Sequence, residues 1–165
     1  MNTEQLLKYS LFDNFTNKDI KKFVETIKIT HYKNNEIIIK ENDIGDSIML
    51  LLEGTVSITK ALTIQISSIK EPEKEFIKLS SNQYPFFGEI SIFNNNKRTA
   101  TIKTETDCQI GILYNKDLIK ICQNNHEIGY KTMINISKKL IDDLVVTNNQ
   151  VLKLTTAFSL ILDKK

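Results

Sequence analysis

The sequence is poor in the residues and runs that mark secreted, membrane-spanning and metal-binding chains. It has no tryptophan and only two cysteines, two prolines and two histidines among 165 residues. One of its longest apolar runs, residues 48–52, is far shorter than the roughly 20 residues that a membrane helix needs. No basic region followed by an apolar segment opens the chain, so no signal peptide is expected. The chain is therefore predicted to be cytoplasmic and to have no membrane partner.

The few cysteines and histidines also limit the chemistry that the chain can support. Cys108 and Cys122 have no neighbouring cysteine at a metal-binding spacing, and without a signal peptide they are expected to remain free thiols. His31 and His126 are far apart in the sequence, which predicts no metal site. No nucleophile–base pattern and no phosphate-binding glycine loop is present. We therefore expect neither catalytic activity nor a cofactor.

The charges of the chain nearly cancel, with 22 basic and 20 acidic residues and a formal net charge of +2. Proteins that bind nucleic acid or anionic membranes usually carry a large one-sided basic excess. Nucleic acid is therefore not an expected partner. The apolar fraction of 41% and the charged fraction of 25% are those of an ordinary globular domain.

Short β-rich runs fill the middle of the chain and alternate with turn-forming residues. Many short strands at this spacing predict a β-sandwich or β-barrel. Residues 71–74 are predicted to form the exposed tip of a hairpin. The predicted strands cover residues 28–33, 36–41, 47–52, 55–67, 75–80, 98–105 and 108–114.

Helices are predicted at both ends of the chain. Residues 4–9 are predicted to form a short helix, and Thr16 and Asp19 are predicted to begin a second one with a capping-box pattern. From Asn115 the chain is predicted to be helical to its end. A helix over about residues 127–162 would be roughly 50 Å long.

The long C-terminal helix carries an apolar heptad seam over about five heptads. A helix of this length outruns a small barrel, so its distal half is expected to pair with a second copy in a homodimer. The alternative is an amphipathic helix that lies on its own barrel. We therefore divide the chain into a domain over residues 1–125 and a dimerisation helix over residues 126–165. The seam consists of Tyr130, Met133, Ser137, Leu140, Leu144, Thr147, Val151, Leu154, Phe158 and Ile161.

One segment, residues 87–102, combines groups suited to a phosphorylated sugar. Gly88 lets the backbone turn where a side chain would collide with a ligand. A helical turn over residues 90–93 would direct free N–H groups towards an anion. Arg98, at the start of a predicted strand, offers a planar fork of donors to a phosphate. Glu89 is placed to accept a hydrogen bond from a ribose hydroxyl, and the small Ala100 allows close approach.

This segment resembles the phosphate-binding cassette of the cyclic nucleotide-binding domain family. That family includes regulatory subunits of protein kinase A, cyclic-nucleotide-gated channels and the catabolite activator protein. The resemblance lies in Phe87-Gly88-Glu89, an aliphatic turn, and Arg98-Thr99-Ala100, with Glu89 and Arg98 nine residues apart.

The resemblance implies a mainly β fold with flanking helices: a double-stranded β-helix jelly roll with N-terminal helices and a long C-terminal helix. It also implies a ligand, cAMP or cGMP, whose ribose 2′-hydroxyl binds Glu89 and whose cyclic phosphate pairs with Arg98. The implied ligand-binding residues are Phe87, Gly88, Glu89, Ile90, Arg98, Thr99 and Ala100.

A second stretch, residues 44–56, is similar to a hairpin of the same family. Gly45 and Gly54 stand where the family has glycines, and both are expected to adopt a positive φ. Asn42 replaces a usual glycine, and asparagine is the next best residue for a left-handed conformation. Before the cassette the chain departs from the family, because Tyr84-Pro85 lies in a segment that is about two residues longer and lacks a glycine.

Several alternatives remain open at the level of the sequence. Glu89 and Arg98 can instead form an ordinary ion pair in a dimerisation or scaffold module that binds nothing. Thr99 is compatible with either cAMP or cGMP. Asp143 and Thr147 are candidate contacts to the base, and the Lys138-Lys139 pair is most simply a solvated helix face. The family's transcription regulators carry a DNA-binding domain after the long helix, whereas this sequence ends at Lys165. The chain is therefore expected to be a stand-alone regulatory domain that signals to an unknown effector protein.

Overall fold

The computed structural model describes residues 1–61, 73–92 and 97–162, with the side chains of residues 61 and 73–76 outside that description. The helices are α1 (Thr3–Leu6), α2 (Asn17–Val24), α3 (Asn115–Asn124) and α4 (His126–Leu162). The strands are β1 (Lys28–Tyr32), β2 (Ile37–Ile39), β3 (Ser47–Glu53), β4 (Thr55–Ala61), β5 (Glu73–Ser80), β6 (Phe86–Phe87), β7 (Thr101–Thr104) and β8 (Cys108–Tyr114). Short 3-10 turns cover Ser10–Phe12, Ser81–Gln83 and Glu89–Ile92.

The strands form two four-stranded antiparallel sheets. One sheet has the order β1-β8-β3-β6, and the other has the order β2-β7-β4-β5. Apart from the consecutive strands β4 and β5, neighbours in the sheets are not consecutive in the sequence, as when Ser47 of β3 pairs with Tyr114 of β8. Two antiparallel sheets joined by such crossing connections, with helices before and after them, confirm the mainly β jelly roll with flanking helices. The sheets face each other as a sandwich, and the described strands do not pair across the two sheets into one continuous barrel.

Strand β3 is buried on both faces and divides the core in two. Its even-numbered residues Ile48 and Leu50 pack with the helices, whereas Met49 and Leu51 pack against the second sheet. Successive side chains of a strand point to opposite faces, so a continuous apolar run is what such a doubly covered strand requires. This accounts for the unbroken apolar sequence of β3.

The N-terminal helices cover the outer face of the first sheet. Helix α2 begins with the predicted capping box: Thr16 Oγ1 accepts from Asp19 N at 3.2 Å, and Asp19 Oδ2 accepts from Thr16 N at 3.0 Å. Tyr9 reaches through the apolar cluster and donates its hydroxyl to the backbone oxygen of Leu51 at 2.7 Å. Burial raises the pKa of Tyr9 above its ordinary value, so this hydroxyl stays protonated as a donor.

Helices α3 and α4 follow the last strand, separated by Asn125. Among the described residues, the buried positions of α4 all lie in its N-terminal part, at residues such as Ile128 and Ile136. Buried Asn135 donates to the backbone oxygens of Leu11 and Asp13 at 3.1 and 2.9 Å and so ties α4 to the N-terminal segment. From residue 141 to residue 162 every position is exposed. The 37-residue helix is about 55 Å long, and its distal half does extend beyond the jelly roll.

Several sequence-based boundaries need correction. Strand β7 begins at Thr101 and not at Arg98, because the backbone of Arg98 instead pairs with the turn at Asn42 and Asp43. Strand β6 was missed because it is only two residues long. Residues 73 and 74 belong to β5, while the rest of the predicted 71–74 tip, and residues 62–67 of the predicted fourth strand, lie outside the described residues. The predicted helical turn over residues 90–93 begins one residue earlier, at Glu89, and is described as far as Ile92, whereas residue 93 lies outside the described residues.

The expectation of a positive φ at Gly45 is wrong. Among the described residues, the glycines with a positive φ are Gly54 at 93° and Gly88 at 86°. Asn42 adopts the expected left-handed conformation with φ 71°, and Tyr84 adopts it as well with φ 50°. Gly45 is constrained instead by the side chain of Arg98, which packs against it.

Candidate functional site

A cavity of about 170 Å³ lies between the two sheets and α4. The seven residues predicted as ligand contacts all line it, and so does Asp143 from α4. Thr147, the other candidate base contact, lies one turn further along α4 and lines an adjoining cavity of about 440 Å³. The main cavity is lined by Ile39, Ile58, Phe87, Gly88, Glu89, Ile90, Ser91, Arg98, Thr99, Ala100, Ile102, Lys139 and Asp143.

Arg98 is 7% exposed and is held by uncharged oxygens. Its Nη1 donates to the backbone oxygens of Ser47 and Gly88 at 3.0 and 3.1 Å and to Ser91 Oγ at 3.1 Å. Its Nη2 donates to Ser47 Oγ at 3.1 Å. A guanidinium carries five N–H donors, and among the described residues no oxygen accepts from Nε. In the described part of the chain, Nε–H and one N–H of Nη2 therefore have no acceptor.

The charge of Arg98 is poorly compensated by the protein. Burial lowers its pKa from the ordinary value, and the more distant carboxylates of Asp46 and Glu89 partly oppose that effect. Within the described part of the chain, no carboxylate forms an ion pair with Arg98. The alternative in which Arg98 and Glu89 are an ordinary ion pair is thus not what the structure shows.

Two glycines make room for the arginine. A Cβ on Gly45 would overlap Nε and Cζ of Arg98, and a Cβ on Gly88 would overlap Nη1. Gly88 has the additional constraint of its positive φ of 86°, which favours glycine. The guanidinium therefore lies flat against two stretches of backbone that any side chain would push away.

Ser91 connects Arg98 to the short 3-10 turn and to α3. Its Oγ accepts from Arg98 and donates to the backbone oxygen of Gly88 at 2.8 Å, and its backbone oxygen accepts from Asn115 Nδ2 at 3.3 Å. The N–H of Ser91 donates to the backbone oxygen of Gly88 at 3.2 Å. This N–H is therefore engaged inside the turn and does not face the cavity as a free donor.

Glu89 forms its ion pair with a residue of α4. Its side chain is buried, and Oε1 lies 2.7 Å from Lys139 Nζ. The same ammonium lies 2.6 Å from Asp143 Oδ2 and 5.5 Å from the centre of the Phe86 ring. Burial alone would lower the pKa of Lys139, but Glu89 and Asp143 outweigh burial and raise it above its ordinary value.

Sequence reasoning missed three of the residues that build this site. Lys139 was interpreted as part of a solvated helix face, and Ser47 and Ser91 were not singled out. No local pattern brings Ser47 or Lys139 to this site, since they lie 51 and 50 residues from the groups they contact. A helical spacing of four between Lys139 and Asp143 was the one signal in the sequence that pointed to their pairing.

The other sequence-based expectations concern groups away from the cavity. Cys108 and Cys122 are free thiols, the first of them buried. Among the described residues, no cluster of three or more histidine, cysteine, aspartate or glutamate side chains could hold a metal ion. Across the same residues, no helix is long and apolar enough to span a membrane. The cytoplasmic location stays a prediction.

Comparisons with known proteins identify the family of this chain and show solved structures with a similar fold. The model of the family described as "Cyclic nucleotide-binding domain" matches residues 29–125, which is more than half of the chain. The chain belongs to the cyclic nucleotide-binding domain family. Domains of this family are regulatory and generally not catalytic. The resemblance that the cassette suggested is therefore confirmed.

A curated relative and two solved structures illustrate the extent of this similarity. The domain is 32% identical over 92 residues to a cGMP-dependent protein kinase of Drosophila melanogaster, covering 56% of this chain but only 11% of that kinase. A solved cyclic nucleotide-binding domain from Methylobacillus flagellatus superposes with a TM-score of 0.76 at 19% identity, over 91% of this chain and 80% of that one. The regulatory domain of Toxoplasma gondii PKA, solved with cAMP, superposes with a TM-score of 0.70 at 19% identity, over 86% of this chain and 49% of that one.

Proposed function

We propose that this domain binds a cyclic mononucleotide, cAMP or cGMP, with Arg98 facing the cyclic phosphate and Glu89 facing the ribose. The observation that carries the proposal is the burial of both charged groups, 7% and 3% exposed, in the wall of one cavity. A buried charge is costly unless an opposite charge compensates for it. Arg98 has only uncharged oxygens as described hydrogen-bond partners, so an anionic ligand would supply the missing countercharge.

The polar groups of the site support a ligand with a small anion and a sugar. Arg98 can still offer donors to a phosphate, and a charge-assisted bond of this kind is among the stronger hydrogen bonds in proteins. Glu89 is 3% exposed and can accept from a hydroxyl. The relatives include a cGMP-dependent kinase and a PKA regulatory domain solved with cAMP. These relatives support a cyclic mononucleotide as the class of ligand, and they leave the choice between cAMP and cGMP open.

We further propose that the domain is regulatory and not an enzyme, and that α4 carries its signal to a partner. Large apolar side chains remain exposed along the distal half of α4, including Leu144 at 58% and Val151 at 53%. Pairing of two copies along the predicted seam would bury them in a homodimer, and an effector protein would read the position of α4. Ligand binding can shift that position only by as much as the ligand favours one arrangement over the other.

Isothermal titration calorimetry with cAMP, cGMP and cyclic di-GMP tests the ligand directly. We expect one site per chain for cAMP or cGMP, and recovery of the nucleotide chemically unchanged after incubation. The control is Arg98→Ala, which removes the phosphate-facing donors. Absence of binding to all three compounds would favour the alternative of a dimerisation or scaffold module, and hydrolysis by the pure protein would contradict the non-catalytic assignment.

A further inference from the structure

An apolar groove with a volume of about 360 Å³ lies between α3 and the N-terminal part of α4. Among the described residues that line it, none is a lysine, an arginine or an acid. An apolar surface that stays in contact with water favours an apolar occupant. The groove is lined mainly by uncharged residues of the last 3-10 turn and of both helices: Ile92, Leu118, Ile119, Cys122, Gly129 and Met133.

The predicted seam of α4 continues from this groove to the far end of the helix. Met133 belongs to the seam and also lines the groove. From residue 141 onwards the seam is exposed, and Phe158 and Ile161 are 63% and 67% exposed. Lys153 is the only charged residue between residues 144 and 162. The distal seam therefore has the apolar character that an occupant of the groove requires.

The distal end of α4 cannot reach the groove of its own chain. Helix α4 is continuous from His126 to Leu162. Gly129 in the groove and Phe158 near the tip are 29 residues apart along this helix, which corresponds to about 44 Å. Only a second copy of the chain can therefore bring Phe158 to the groove.

The direction in which two copies pair decides whether the groove is filled. In a parallel pair each seam residue meets its own counterpart, so groove faces groove and neither concave surface receives a side chain. In an antiparallel pair with its two-fold axis between residues 145 and 146, Phe158 meets Met133 and Ile161 meets Tyr130. Large side chains then enter the groove of the other copy, and by symmetry the same contact forms twice.

We propose that this protein forms an antiparallel homodimer, in which the distal end of α4 of each copy docks in the groove between α3 and α4 of the other. Phe158 and Ile161 are the apolar anchors, and Ile119 of α3 is part of the receiving wall. The inference rests on the proposed homodimer and does not depend on nucleotide binding. It assigns the direction of pairing and adds α3 to the interface.

Cysteine cross-linking distinguishes the two directions, because Cys122 lines the groove whereas the other thiol, Cys108, is buried. The thiol introduced by Phe158→Cys or, in a second variant, by Ile161→Cys should form a disulfide with Cys122 of the other copy when diamide is the oxidant. Burial raises the pKa of Cys122, so the oxidation is carried out at mildly alkaline pH, where the reactive thiolate forms. Peptide mass spectrometry identifies the joined residues, and addition of Cys122→Ser should remove the product.

The antiparallel dimer keeps the two introduced thiols at position 158 apart by 25 residues of helix, or about 38 Å. A product that links position 158 to position 158 would therefore show a parallel dimer and overturn the proposal. Absence of a cross-link to Cys122 in both variants would overturn it as well.

A substitution in α3 tests the groove without altering the seam. Ile119→Glu places a charge in the receiving wall and should raise the dissociation constant of the dimer by at least about 10-fold, the effect of losing one well-packed contact in an interface. Lys120→Glu is the matched control, since this neighbour is exposed and does not line the groove. Light scattering over a dilution series measures both. Equal dissociation constants for wild type and Ile119→Glu would overturn docking in the groove alone, whereas a monomeric wild type would overturn the proposed homodimer together with this inference.

Discussion

The side chain of Arg98 lies against the backbone of Gly45 so closely that a methyl group on Gly45 would overlap Nε and Cζ of the arginine. Gly45 does not have a positive φ, so an alanine there meets no conformational penalty of its own. Glycine is needed at this position because the guanidinium of Arg98 packs against it. It lets the guanidinium reach its oxygen partners on Ser47, Gly88 and Ser91.

Gly45→Ala should therefore weaken nucleotide binding through displacement of Arg98. A displaced Arg98 loses part of its contact with the phosphate, so the loss should be smaller than the about 2–5 kcal/mol of a truncated charge partner and on the order of 10-fold in affinity. Calorimetry measures the effect, with Ile44→Ala as the control because Ile44 is 83% exposed. Equal affinity of Gly45→Ala and wild type would show that Arg98 does not hold the ligand from this position.

Arg98 and Glu89 should differ in how much their replacement costs. Truncation of one partner of a buried charge pair typically costs about 2–5 kcal/mol, so Arg98→Ala should weaken binding by roughly 30- to several-thousand-fold. Arg98→Lys should be nearly as weak, because an ammonium lacks the planar fork of donors. Glu89→Gln should be mildest, since an amide oxygen still accepts from a hydroxyl.

Calorimetry on the three variants tests this order of affinities, and melting curves confirm that each variant is folded. Arg98 has four hydrogen-bond contacts to Ser47, Gly88 and Ser91, so a lower melting temperature is expected for Arg98→Ala alongside the loss of affinity. Equal binding by wild type and Arg98→Ala would identify the cassette as a non-binding remnant and favour the scaffold alternative.

The distal half of α4 should mediate self-association. Leu144→Glu combined with Val151→Glu places charges in the predicted seam, where both side chains are more than half exposed in the single chain. Light scattering at micromolar concentration should show a dimer for wild type and a monomer for the double variant. Asn149→Glu, at an exposed polar position of the same helix, should remain dimeric. A monomeric wild type would contradict the dimer.

Asp19 should make the stability of the domain depend on pH in the acid range. Burial tends to raise the pKa of this carboxyl, but hydrogen bonds from Thr16 and the ammonium of Lys131 outweigh burial and hold the pKa below its ordinary 3.8. The ionised form therefore favours the folded state. Its contribution is complete above the ordinary pKa of the unfolded chain and is lost as the pH falls through the lower pKa of the folded protein.

Urea unfolding of wild type and Asp19→Asn over pH 2–7 measures this contribution. Near neutral pH, wild type should be more stable by about 1 kcal/mol, the usual scale of a helix cap. That difference should shrink below pH 4 as Asp19 becomes protonated. Asp13→Asn is a control at an exposed carboxyl of the preceding segment. A difference between wild type and Asp19→Asn that stays constant with pH would contradict the assignment.

Features that depend on neighbours in the sequence could be predicted from it. The capping box of Thr16 and Asp19 needs residues only three apart, and the apolar run of β3 reports burial directly. The cassette is recognisable because Glu89 and Arg98 have a fixed spacing along one chain segment. Placement of all seven predicted contact residues around one cavity follows from that local order, although their binding of a ligand stays a prediction.

Strand boundaries were less predictable where long-range pairing decides them. Arg98 was expected to begin a strand, yet its backbone pairs with Asn42 and Asp43, and the strand begins three residues later at Thr101. The two-residue strand β6 exists because Phe86 and Phe87 pair with β3. A segment of two residues is too short to show a periodicity in the sequence, so only its pairing with β3 identifies it as a strand.

By itself, the sequence determined the β-rich middle, the terminal helices and the identity of the cassette, because these follow from side-chain periodicity and spacing within single segments. Only the tertiary structure decided what surrounds the charges. It placed Ser47 on Arg98 and Lys139 on Glu89, contacts that span 51 and 50 residues of chain. It also explains why position 45 requires glycine, because the guanidinium of Arg98 packs against it and leaves no space for a side chain. Such contacts arise when sheets and helices meet, and no local pattern in the chain encodes them.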